Sequence, residues 1–123
     1  MTLIDEAVNA GVKKILVTHP QASFIGFTIE DMKRAVEKGA ILEHDFVICT
    51  RLMREPVSPS VIAKAIRAVG AENCVMSTDG GQHTNPVPVE MFKQFIVKML
   101  ELGITADEIQ VMTQENPSKL LGI

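Results

Sequence analysis

A chain of 123 residues that is 46% hydrophobic but only 4% aromatic has the length of one domain and a composition suited to an aliphatic core. Its net charge of −3 comes with Lys and Arg scattered among Asp and Glu, so nucleic acid and anionic membrane surfaces find no basic stripe to bind. No apolar run approaches the roughly 20 residues that span a bilayer, and "MTLIDEAVNAG" has no basic region followed by an apolar core, so neither a membrane span nor a targeting segment is expected.

In chain order, the first helical pattern ends in "NAGV" at Gly11, and "KKILVTH" follows as a strand expected over residues 13–19. Thr28 ahead of Glu30 and Asp31 opens a second helix, which should end near Gly39 in "EKGA". A strand is expected over residues 40–48 in "AILEHDFVIC". Ser58 and Pro59 open a third helix that should end near Gly70, and "NCVMSTD" supplies a strand over 73–78. From Val89 to Leu102, the spacing of Phe92, Phe95, Ile96, Met99 and Leu100 predicts one buried helical stripe ending near Gly103. "TADE" at Thr105 to Glu108 fits a capping box opening a last helix, expected to break near Asn116 and Pro117.

Glycine after a helix accepts the left-handed conformation that caps the last carbonyls, and after the first three such glycines the chain turns into a strand. Those strands are apolar on both faces, which is the character of parallel strands covered by helices. The helix, glycine, strand rhythm recurs about every thirty residues, the length of one βα unit. An α/β fold of about three parallel strands alternating with helices is predicted, as a single domain over residues 1–123. In such folds ligands collect beyond the carboxyl ends of the strands. Cys49 and Cys74 lie in apolar surroundings without a CxxC or a Cys/His cluster, so buried reduced thiols and a cytoplasmic location are expected.

His19 ends "KILVTHP", His44 lies within "AILEHDF" and Asp79 ends "VMSTD". Three metal-ligand residue types thus come from successive strands at one sheet edge, and a catalytic divalent ion needs converging nitrogen and oxygen ligands with a position left for water. Each residue has an ordinary reading as well: His19 as a strand-terminal residue, His44 as a satisfied core histidine, and Asp79 as a turn former ahead of Gly80 and Gly81. Glu43 and Asp45 flank His44, where one could orient its second ring nitrogen or add a ligand, but because strand neighbours point to the opposite face they are placed outside the ligand group. His83 follows in the same loop as Asp79 and either faces a substrate or stands in solvent. The two glycines lack any phosphate-binding pattern around them.

"ILVTHP", "GAILEH", "STDGGQ" and the ending "GITADEIQVMTQENPSKLLGI" together resemble the C-terminal half of the metal-dependent amidohydrolase superfamily, in its uncharacterised TIM-barrel branch. The resemblance implies a half TIM barrel in which His19 and His44 match the metal-ligating histidines of the fifth and sixth strands. Asp79 matches the eighth-strand aspartate that binds metal and acts as base. It further implies a divalent cofactor such as Zn²⁺ and hydrolysis of an amide, ester or lactone by a metal-activated water.

The chain departs from the superfamily in lacking the HxH pair of the first strand, and a full barrel takes about 250 residues. Two readings follow. One is a metal-dependent hydrolase module acting on a small molecule, with the missing half-barrel supplied by another chain. The other is a non-catalytic half-barrel or assembly subunit that pairs with itself or with another polypeptide through an uncovered sheet edge.

Overall fold

Three strands, β1 (Ile15–Thr18), β2 (Ala40–Asp45) and β3 (Cys74–Ser77), pair in parallel in the order β1-β2-β3 in the computed structural model, which describes residues 2–123. Around them run α1 (Thr2–Asn9), α2 (Ile29–Glu37), α3 (Pro59–Val69), α4 (Pro88–Glu101), α5 (Ala106–Gln110) and α6 (Asn116–Leu121). The result is an open α/β sheet with the strand–helix alternation of part of an α/β barrel. Among the described residues, no helix is long and apolar enough to cross a membrane.

The helices begin and end for local reasons. Thr28 and Asp31 form a reciprocal capping box, as do Thr105 and Glu108, and the Ser58 hydroxyl accepts from the Ser60 amide ahead of Pro59. Gly39 and Gly103, just past the ends of α2 and α4, have φ of 85° and 83°, a conformation that side chains resist. Each lets a helix stop and the chain reverse toward its next element.

Register fixes the two faces of the sheet. Val17 stands beside Leu42, and Leu42 beside Cys74, so Ala40, Leu42, His44, Cys74 and Met76 share the face covered by helices, and all five are buried. Their neighbours in the core include Met32 and Ala35 of α2, Ile62 and Ile66 of α3, and Phe95 and Met99 of α4. The opposite face carries Leu16, Thr18, Ile41, Glu43, Asp45, Val75 and Ser77. The C-terminal segment lies across part of this second face, where Pro117, Leu120 and Leu121 border a groove with Leu16, Glu43 and Val75.

Three expectations need correction. The second strand ends at Asp45, because Phe46–Cys49 form a 3₁₀ turn, with the Thr50 amide and hydroxyl both donating to the Val47 carbonyl at 2.9 and 2.8 Å. That turn stacks Phe46 on Phe95 with ring centroids 5.3 Å apart. On α4 the buried stripe is Met91, Phe95 and Met99, while Leu100 is exposed. The third concerns the C-terminus, where the helix does not break at Asn116–Pro117. A π-helical turn over Val111–Glu115 joins α5 to α6, and its wider hydrogen-bond spacing accommodates a proline that an unbroken α-helix rejects. The buried Asn116 side chain then donates to the carbonyls of Ala71 and Cys74 at 2.9 and 2.7 Å, pinning this segment to the start of β3.

Candidate metal centre

His19 follows β1, Asp45 ends β2 and Asp79 lies two residues beyond β3, so all three come to the carboxyl edge of the sheet. One ligand atom from each can be chosen so that all lie within 4.8 Å of one another. The His19 Nδ1 bonds to Asp45 Oδ2, and the Nε2 stands 3.6 Å from Asp79 Oδ2. The imidazole therefore bridges a sealed carboxylate on β2 and a solvent-facing one after β3: the Asp45 side chain is fully buried, whereas Asp79 is 55% exposed.

Backbone geometry aims both outer members. Among the described residues, His19 and Asp79 are the two non-glycine residues with positive φ, at 56° and 46°. Such conformations are uncommon for residues with a Cβ and tend to gather where function holds them. Continued extension would send the His19 side chain to the helix-covered face with Ile15 and Val17. The left-handed residue ends that alternation, and the ring turns to meet Asp45 instead. Phe24 stands edge-on to the ring, centroids 5.8 Å apart. At the other end, Asp79 rather than a glycine takes the left-handed position. Gly80 is tightly approached: a Cβ there would stand 3.0 Å from Met91 Sδ, 3.2 Å from Thr78 Oγ1 and 3.3 Å from Pro88 Cα.

Burial pushes the Asp45 carboxyl above its ordinary pKa; His19 pulls it back, and the charges of Asp79 and Glu43 push in the same direction as burial. Its Oδ1 is buried with no hydrogen-bond partner. A buried carboxylate oxygen left unmatched is rare in a fold shaped for stability alone.

Of the three residues nominated from the sequence, the structure brings His19 and Asp79 together and sets His44 apart. His44 is fully buried on the helix-covered face. Gln21 Nε2 lies 2.8 Å from its Nδ1, and Cys74 Sγ lies 3.3 Å from its Nε2. Burial lowers its pKa to about 4, so it is a neutral core imidazole with both nitrogens occupied. The alternation rule had rightly separated His44 from its two neighbours, but the face that carries the site is that of Glu43 and Asp45. Sequence alone did not mark the sides, because Ile41, in step with Glu43 and Asp45, is as aliphatic as Ala40 and Leu42, in step with His44. Glu43 accepts from the Thr18 hydroxyl at 2.7 Å on the open face. Both cysteines are free, and burial is the main cause that pushes each thiol up to about 12, which leaves them poor nucleophiles.

A family of unknown function, DUF6282, matches residues 1–43, a stretch that includes β1 and His19. No curated protein and no solved structure matches the chain.

Proposed function

We propose that the chain is a metal-dependent hydrolase module whose ion is held by His19 Nε2 and the Asp79 carboxylate. The observation that carries this reading is the pair of left-handed residues, His19 and Asp79, which bring an imidazole nitrogen and a carboxylate oxygen to 3.6 Å from each other at the carboxyl edge of a parallel sheet. Two ligands, each about 2.1 Å from one ion and opening a tetrahedral angle, stand about 3.4 Å apart, so the spacing fits a shared ion. The donor set of one imidazole and one carboxylate suits Zn²⁺ or a similar divalent ion. The exposed Asp79 leaves the solvent side open to a substrate.

When bound, such an ion would polarise the carbonyl of an amide, ester or lactone and lower the pKa of a nearby water. The chain's own contribution lies in the two oxygens of Asp79. One faces His19; in this reading the other takes a proton from the attacking water and returns it to the leaving group. The helix-covered face excludes water from behind the site, since Leu42, His44 and Met76 are buried there. The free thiols accord with a reducing compartment such as the cytoplasm.

Purified protein equilibrated with Zn²⁺ and then freed of excess ion should retain stoichiometric metal, and His19→Ala and Asp79→Asn should lose most of it. Against a panel of aryl esters, lactones and amides, Asp79→Asn should lower the rate by at least roughly 10²- to 10⁴-fold, since it loses a metal ligand as well as the general base, with the urea midpoint little changed. Retention of metal by both variants, or no metal in the wild type, would refute the reading.

A second reading, a non-catalytic assembly unit, is favoured by the edge of β1. Among the described residues β1 pairs only with β2, and beside it runs a cavity of about 420 Å³ lined by Leu3, Ile4, Leu16, Ile25 and Phe27 among others. Leu3, Leu16 and Ile25 are exposed there, so a second copy or another polypeptide has both an apolar surface and unpaired backbone groups to meet. Sedimentation that shows only monomer at high concentration would remove the self-pairing form of this reading.

A further inference from the structure

The fully buried carboxylate of Asp45 holds one face of His19 while its second oxygen bonds to nothing. We infer that Asp45 is a positioning residue: it accepts the Nδ1–H of His19 and so fixes the tautomer whose Nε2 lone pair faces Asp79. This rests on the metal-site reading above and assigns Asp45 a role within it that is not ligation.

The protons can be counted. A neutral imidazole carries one N–H, and an ionised carboxylate has none to give. With Nδ1 bonded to Asp45 Oδ2, the proton sits on Nδ1, and the lone pair is left on the nitrogen 3.6 Å from Asp79 Oδ2. Metal-binding histidines commonly use their second nitrogen this way, donating to a carboxylate that sets ring orientation and raises basicity.

Three features separate positioning from ligation. Oδ2 is already engaged by the ring. Oδ1 is sealed from solvent, whereas an exchangeable ion with room for water belongs on the side of the exposed Asp79. And Asp45 terminates β2, hydrogen-bonded to β3 with Asp45 opposite Ser77, so it offers a fixed anchor that the loop-borne Asp79 does not. Phe24, edge-on to the ring, further limits its rotation. Water excluded from Asp45 cannot compete for the His19 proton, which keeps the hydrogen bond strong and directional.

The test reads the tautomer directly. Long-range ¹H–¹⁵N spectra of the metal-free full chain, above the histidine titration range, resolve three imidazoles: His19, His44 and His83. His19 should show the Nδ1–H form in the wild type and in Asp45→Asn, whose amide oxygen still accepts, and should shift toward Nε2–H in Asp45→Ala. Zinc titration should give unchanged stoichiometry in both variants, with affinity 10- to 100-fold lower in Asp45→Ala, as for other lost partners of metal-binding histidines. Backbone amide spectra check that each variant is folded, and if Asp45→Ala is not, the wild type and Asp45→Asn decide the matter. An Nε2–H tautomer in the wild type, an unchanged tautomer in folded Asp45→Ala, or zinc lost from Asp45→Asn as fully as from Asp79→Asn would overturn the inference. The expected tautomers without any zinc binding would support the hold of Asp45 on His19 and refute the metal reading instead.

Discussion

Acidification from pH 7 to pH 5 should destabilise the fold through His44. Burial lowers the pKa of this fully enclosed imidazole from 6.5 to about 4, so between those values the unfolded chain takes up a proton that the folded chain refuses. The stabilising contribution is therefore complete above the unfolded value and is lost as the pH falls toward the folded one. Each pH step in that window withdraws about 1.4 kcal/mol, so the loss by pH 5 is about 2 kcal/mol. With a urea dependence in the usual range of about 1–3 kcal/mol/M, the midpoint should fall by roughly 1 M. The control is His44→Leu, which removes the titrating ring. It should be less stable at neutral pH because Gln21 and Cys74 lose their partner, but its stability should decline much less between pH 7 and 5. The raised Asp45 carboxyl acts in the opposite direction, since its folded form is relatively favoured when protonated, and it is common to both proteins. Parallel pH profiles for wild type and variant would refute the assignment of the acid sensitivity to His44.

Asn116→Ala leaves the Ala71 and Cys74 carbonyls without their side-chain donor and should lower unfolding free energy by about 2–3 kcal/mol in urea titration, in keeping with two buried hydrogen bonds lost. Thr105→Ala breaks the capping box of α5 and should lower it by about 1 kcal/mol, read in the same assay. Gly80→Ala forces a Cβ against Met91 and the Pro88 backbone; it should shift the Asp79 loop and weaken zinc binding at least tenfold by titration, with far-ultraviolet circular dichroism unchanged.

Much of the architecture follows from local chemistry, and so it can be read along the chain. Thr28, Ser58 and Thr105 start helices because their hydroxyls meet free amides within the same turn. Gly39 and Gly103 end helices because they take positive φ without strain. The apolar strands between them have the character of parallel strands, and they pair in parallel with one face covered by helices. His19 and Asp79 were legible as candidates because each stands where an apolar strand gives out.

Which face of β2 carries the site was decided only in three dimensions. Alternation says that His44 and Asp45 point opposite ways, but not which direction meets the helices; that depends on the register with β1 and β3 and on where α2, α3 and α4 come to rest. The left-handed turn at His19 is likewise held by tertiary contacts, since it carries the ring across to a carboxylate 26 residues away in sequence. The same holds at the C-terminus, where Pro117 locally signals a stop. The π turn and the Asn116 bonds to β3 carry the helix on, because long-range hydrogen bonds outweigh the local preference of one residue.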